Sequence, residues 1–176
     1  MKFRLAIATM LLSAATGYSQ TDLGVNGLLG NDLTDLGNDG VEGSYAPPAL
    51  GGFDAEFFGD DEPGFEGAEN SFNVFDNAVG GGSAKWCCNS ADVGDGVHVG
   101  ADFRNTLLAN PGDLILLTHF TITSDNDVGI NRDPDVWAIQ GSLDGSMWTD
   151  IFAYNNPGNS PFDDFGGAVD LRTLQY

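Results

Sequence analysis

The chain has 176 residues, of which six are Lys or Arg and 26 are Asp or Glu, for a formal net charge of −20. A field of that sign repels phosphate backbones and anionic headgroups, so nucleic acid and acidic membrane are poor partners, while divalent cations and a salty medium suit it. With 25 glycines, 12 phenylalanines and scarce lysine, and no stretch after residue 20 that repeats apolar residues at helical spacing over three turns, the composition predicts an all-β domain of short strands and turns.

The first segment, MKFRLAIATMLLSAATGYSQ, sets Lys2 and Arg4 ahead of an apolar run from Leu5 to Leu12, followed by small residues down to Ser19. That layout is a secretory leader, residues 1–19, and the run is too short to span a bilayer. Its removal leaves Lys85, Arg104, Arg132 and Arg172 against all 26 carboxylates. The expected product is an exported, soluble chain of about 156 residues, enough for one domain with a core that needs no crosslinks.

Residues 20–67 are rich in Gly and Asp, and they read as the loop-rich N-terminal part of the domain with one strand-like piece, LTDLG at 33–37. Gly-Asn-Asp occurs twice here, but seven residues apart, which does not suit the nine-residue calcium β-roll. An EF-hand loop from Asp35 fails as well, because Gly37 and Ala46 stand where ligands belong.

The main unit is expected over 68–176. In ENSFNVFDNAVGGGSAKW, Asp76 and Asn77 precede three glycines, Ser83 and Trp86. A short loop that gathers a carboxylate, carbonyls and a hydroxyl suits a hard cation wanting six to eight oxygens, although an ordinary turn has the same composition. The two cysteines, Cys87 and Cys88, are adjacent. Neighbouring Cα atoms lie about 3.8 Å apart, so a bridge would be a strained ring, and two small thiols at a strand end are the plainer expectation.

LILLTHFTIT, residues 114–123, predicts a central strand with Leu114, Leu116, Thr118, Phe120 and Ile122 on one face and both faces covered. His119 then falls inside a strand, as a structural imidazole. The acidic turn SDNDVGINRDPD follows, with Arg132 as a staple whose five donors bind carbonyls and a carboxylate of Asp125, Asp127 or Asp133, or else with Arg132 and Asn126 facing out toward a sugar. Pro134 fixes the start of VWAIQGS. Asp144-Gly145 then joins that run to MWTDIFAY as a hairpin, since both residues tolerate the positive φ of a tight turn. Residues 114–154 thus read as three neighbouring strands. Trp86, Trp137 and Trp148 lie in or beside strands and are expected in the core, while Phe57, Phe58, Tyr154, Phe162 and Phe165 are loop aromatics able to stack on a sugar.

FDNAVGGGSAKW followed by FTITSDNDVGINRDPDVWAIQGSLDGSMWTDI resembles the discoidin or coagulation-factor C-domain superfamily, the galactose-binding-like sandwiches that include many bacterial carbohydrate-binding modules. The likeness runs over about 31–154 and is most specific at 69–86 and 118–151. It implies an eight-stranded jelly-roll sandwich without catalytic machinery. It also implies a structural calcium ion in the early loop, with Asp76 and Ser83 carried over as ligands and Asn77 beside them in place of the usual glycine. Asn126, Asp127, Arg132 and Asp133 correspond to its structural turn. Such domains continue through a further Phe-rich strand and a final Tyr-rich strand where this chain stops at Tyr176, so the resemblance implies either a fragment or a divergent variant with an incomplete sandwich edge.

Enzyme chemistry has little support. There are two histidines, no Gly-x-Ser-x-Gly elbow, and so many carboxylates that no glycosidase pair is singled out. The expectation is a secreted, non-catalytic module that binds carbohydrate or another extracellular surface. The alternative is a structural or adhesive exoprotein domain that binds no sugar.

Overall fold

The computed structural model describes residues 2–8, 20–25, 27, 55–60, 69–75, 79, 85–86, 96–103, 114–124, 133–163 and 171–176. Among them are eight strands: β1 Lys2–Ala8, β2 Thr21–Val25, β3 Glu56–Gly59, β4 Val97–Asp102, β5 Thr121–Thr123, β6 Val136–Ser142, β7 Thr149–Asn155 and β8 Arg172–Gln175, with one 3-10 turn at Ser71–Val74. The all-β expectation holds for these residues. The strands form two sheets, one in the order β3-β4-β1-β6-β7 and the other β2-β8-β5.

Alternation in β4 and β6 explains how the larger sheet buries one face. Val97, Val99 and Ala101 are buried, and so are Trp137 and Ile139, whereas His98, Asp102, Ala138 and Gln140 on the other face are only half-buried. Period two along each strand sends successive side chains to opposite faces, so the buried set is the core face. Across β7 the register sets Tyr154 opposite Trp137 and Phe152 opposite Ile139, then slips between Ile139 and Gln140. That bulge lets two consecutive residues, Ile151 and Phe152, both pack against the core.

The two sheets meet through aromatic rings. Phe120, just before β5, stacks on Tyr176 with ring centres 5.3 Å apart and meets Trp137 edge-on at 6.0 Å. Trp137 also meets Tyr176 edge-on at 5.5 Å. Stacked and edge-to-face pairs are the arrangements the ring quadrupole favours, and they add to what burial alone supplies. Leu174 of β8, fully buried, completes the contact from the smaller sheet.

The smaller sheet is tied at its edges. Arg172 pairs with Asp22 across to β2, Arg172 N donates to Ser124 Oγ at 2.9 Å, and Ser124 N donates to Arg172 O at 2.9 Å. Asp22 Oδ1 accepts from Gly24 N within a bulge of β2, where Gly24 has φ 83°. A left-handed backbone there suits glycine and no branched residue.

The 114–123 segment departs from expectation. Only Thr121–Thr123 is a strand, and it lies at the edge of the smaller sheet, so the run is neither central nor next to β6 and β7. The reason is a slip in its alternation: Ile115 and Phe120 are buried, which are five apart and so fall on opposite faces of a regular strand. Leu116 is left 63 % exposed, and His119 is exposed with Thr118 Oγ1 3.1 Å from its Nδ1. His119 is therefore no buried structural imidazole. Pairing of this stretch is instead with the chain end, through Phe120 N to Tyr176 O at 3.2 Å and Tyr176 N to Phe120 O at 3.0 Å.

The β6–β7 hairpin is as expected in pairing but has a longer loop, 143–148, than a two-residue turn. Its ends are fixed by side chains: Asp144 Oδ1 accepts from Ser146 N at 2.7 Å and Met147 N at 2.8 Å, and Ser142 Oγ accepts from Gly145 N at 2.8 Å. Gly145 takes the positive φ, at 75°. Asp135 plays a similar part at the other end of β6, its carboxylate accepting from Gly158 N and its carbonyl from Asn156 N.

Lys2–Ala8, expected to be a leader outside the fold, is the middle strand of the larger sheet, parallel to both β4 and β6. The strand-like piece at 33–37, the cysteines Cys87 and Cys88, and most of the acidic turn lie outside the described residues.

Candidate functional site

The outer face of the larger sheet carries a row of rings. Register sets Phe57 of β3 opposite Ala101 and Phe58 opposite Gly100. Since Ala101 belongs to the core, Phe57 is core-facing, and it stacks on Phe75 with ring centres 5.0 Å apart. Phe58 therefore stands on the opposite face, over a residue with no side chain. Its ring lies 6.1 Å from that of His98 and 6.3 Å from that of Trp148, tilted by 56° and 47°. Phe58 is thus the middle of a continuous line His98–Phe58–Trp148, and all three are half-buried.

The line is held by a polar clamp at one end. Asp60, directly after β3, presents one carboxylate oxygen, Oδ2, which accepts from the backbone N of His98 at 2.7 Å and lies 2.7 Å from its ring Nδ1. Asp60 N in turn donates to His98 O at 3.1 Å. A carboxylate on Nδ1 fixes the ring's orientation and gives Nδ1 the proton, which turns Nε2 toward an accepting role while the ring is neutral. The His98 side chain remains 42 % exposed. Further along the same cross-strand row, Gln140 Nε2 donates to Asp150 Oδ1 at 2.7 Å. Gly100 of β4 and Ala138 of β6 stand in outer-face positions on either side of β1, with Gly100 opposite Ala6 and Ala138 opposite Arg4.

An arrangement of half-exposed rings beside an imidazole, a carboxylate and an amide can stack on an apolar ligand face and hydrogen-bond its rim. Two exposed apolar side chains, Leu143 and Met147, extend the surface along the hairpin loop next to Trp148.

Of the residues expected from sequence to contact a ligand, Phe58 alone among the described ones lies on this face. Phe57 packs against the core, Phe162 is buried within it, and Tyr154 stacks on Trp137 at 5.8 Å while its hydroxyl donates to Asn159 O at 3.1 Å. Phe165 lies outside the described residues. The three tryptophans, all expected in the core, divide: Trp137 is buried, whereas Trp86 and Trp148 are half-buried. Trp148 leaves the core because it sits in the 143–148 loop, one residue before β7 begins, where the strand alternation does not yet apply. His98 was legible only through the alternation of VHVGAD, a run whose glycine weakens its resemblance to a strand.

The expected calcium ligands Asp76, Asn77 and Ser83 lie outside the described residues, as do Asn126, Asp127 and Arg132; Asp133 is half-buried on the approach to β6. The segments flanking 76–84 are drawn together. Asn73 Nδ2 donates to Lys85 O at 2.7 Å, and Lys85 Nζ lies 3.7 Å from Glu69 Oε1, both side chains largely buried. Among the described residues no group of three or more His, Cys, Asp or Glu is placed to hold a metal ion, and no helix is long and apolar enough to cross a membrane. Comparison with family models, curated proteins and solved structures gave no match.

Proposed function

We propose that this chain is a secreted, non-catalytic binding domain of jelly-roll type that holds carbohydrate on the outer face of its larger sheet. The observation that carries the reading is the Phe58–Trp148 ring pair beside the His98–Asp60 clamp. Burial of aromatic rings is ordinarily favourable, so two large rings kept half-exposed on one face of the sheet favour a ligand with an apolar face of its own. A pyranose ring has such a face, with hydroxyls at its rim for His98 and the Gln140–Asp150 pair. The high negative charge argues for a neutral or cationic sugar over a sulfated or uronic one. The motif resemblance to galactose-binding-like modules supports the same class of ligand.

The reading includes a structural calcium ion in the 76–84 loop, with Asp76, Asn77 and Ser83 as its ligands. Its support is the residue pattern of that loop together with the Asn73–Lys85 and Glu69–Lys85 contacts that close its ends. Calcium is expected to raise the melting temperature, and Asp76→Ala to abolish the rise; an unchanged rise in that variant would remove this loop from the account.

A second reading, an adhesive domain that meets protein instead of sugar, is favoured by Leu143 and Met147, which are 59 % and 75 % exposed beside Trp148. A glycan array with the full chain separates the two. Binding to neutral glycans that is lost in Phe58→Ala and kept in Met147→Ala supports the sugar site. No binding to any glycan rejects it in favour of the adhesive reading.

A further inference from the structure

The outer row of β3 reads acid, ring, acid: Glu56, Phe58 and, just past the strand end, Asp60. Opposite them on β4 stand Asp102, Gly100 and His98, the first two by register and the last through the hydrogen bond from Asp60 N to His98 O. The two ends of this row differ. Asp60 is engaged by His98, whose backbone N and ring Nδ1 both lie 2.7 Å from its carboxylate. Glu56 faces a second carboxylate, half-buried like itself, and among the described residues it forms no ion pair.

Directly opposed residues of an antiparallel pair hold their Cβ atoms about 4.5–5.5 Å apart, and like charges at that spacing repel. Half-burial weakens the screening of that repulsion by salt. The basic positions of β1, Lys2 and Arg4, lie toward the other end of the sheet: Arg4 is opposite His98, and Ala8, about 13 Å further along the strand, is the position opposite Asp102. Glu56 therefore favours a cation that the ligand brings. An ammonium group beside an aromatic face also gains from the ring quadrupole, which a neutral hydroxyl does not. Alternate positions of a strand are about 7 Å apart, so a pyranose stacked on Phe58 reaches Glu56 with a substituent on its rim.

We propose that the ligand of the outer face is an amino sugar, held by its apolar face on Phe58 and Trp148 and by its protonated amine on Glu56 and Asp102. The proposal rests on the reading of this face as a sugar site and adds the charge of the ligand and the residues that select it. The N-acetylated form of the same sugar keeps the stacking and loses the ion pair, so the two forms differ in the one interaction at issue.

The test titrates the full 176-residue chain with oligomers of glucosamine, their amines protonated, and with the same oligomers N-acetylated. The amine form is expected to bind at least about tenfold tighter, and Glu56→Gln to bring the two forms within about threefold of one another. Because Glu56→Gln removes one of two facing like charges, it is expected to melt no lower than the parent. A lower melting temperature would mean that a cation of the chain already holds the pair, and would overturn the proposal. Spermidine, an amine without a pyranose face, is expected not to displace the glucosamine oligomer; displacement at equal concentration would reduce the preference to the general attraction of an acidic chain and overturn it as well. Equal binding of the two sugar forms to the parent would overturn the amine assignment and leave the sugar site standing, whereas binding of neither would overturn both.

Discussion

Trp137 and Trp148 stand eleven residues apart on the two sides of one hairpin, and the sheet treats them oppositely. Trp137 sits within β6 on the core face, 2 % exposed, with Phe120, Phe152, Tyr154 and Tyr176 around it. Trp148 sits one residue outside β7 on the other face, half-buried, against Phe58. The residue type is the same, so what separates a structural ring from a candidate ligand platform is position relative to the strand register. The inner cluster packs ring against ring within the core, so its contribution is to stability. The outer row is half-buried, and it is the row to which the proposed sugar site is assigned.

The sharpest contrast should come from removing each ring in turn. Trp137→Ala opens a large cavity in the only core the described residues share, and about 3–5 kcal/mol of stability should be lost, measured by urea unfolding. A loss under about 1 kcal/mol would mean that the two sheets are not joined as the ring contacts indicate. Trp148→Ala and Phe58→Ala should instead leave stability within about 1–2 kcal/mol of the parent while weakening glycan binding at least about tenfold, as isothermal titration would read. A pattern with the roles exchanged would break the comparison.

Smaller effects sharpen the inner half. Among the described residues the buried Tyr176 hydroxyl has no hydrogen-bond partner, and burial, with a lesser contribution from Tyr154, pushes its ionisation well above the usual phenol value of 10.0. A raised phenol stays neutral in the folded chain while the unfolded chain ionises, so the stability it supports is complete below about pH 10 and falls as pH rises further. Tyr176→Phe should therefore cost little at neutral pH, because no hydrogen bond to the described residues is lost, and should flatten the alkaline fall in melting temperature. An unaltered alkaline fall would place Tyr176 in water.

The hairpin loop that carries Trp148 offers the smallest effect. Donation from Met147 N and then Ser146 N holds the Asp144 carboxyl below its ordinary value of 3.8. A depressed carboxyl stabilises the folded state above the unfolded value and loses that effect as pH falls through the folded one. Asp144→Ala should thus be slightly less stable than the parent at pH 6, and the difference should shrink as pH falls below 3.8, in paired thermal melts. A difference that does not shrink with acidification would mean that the loop is held by something other than this charge.

The parts legible in sequence were those where periodicity and turn chemistry agreed. VWAIQGS, with Trp137 and Ile139 two apart, formed its strand as read, and Gly145 takes the positive φ expected of it, but within a loop over 143–148 instead of a tight Asp144-Gly145 turn. The run LILLTHFTIT was misread because its apolar residues are nearly continuous, and a continuous run hides the slip between Leu117 and Phe120 that turns most of it out of the sheet. EFFG was too short to announce a strand, and its two adjacent phenylalanines gave no clue to which faced the core. The outer aromatic row was therefore not visible beforehand: it depends on β3 lying beside β4, a pairing between segments some forty residues apart that no local pattern encodes. Lys2–Ala8 was read by its charge and hydropathy as a leader, and nothing in those properties distinguishes a leader from a strand.

The account's central claim, that the outer face of the larger sheet is a sugar site, is tested most directly by titrating neutral oligosaccharides into the full chain and into Trp148→Ala at matched stability. The account predicts saturable binding to the parent that weakens at least about tenfold in the variant, with melting temperatures that stay close. Equal affinity in the two chains would contradict it.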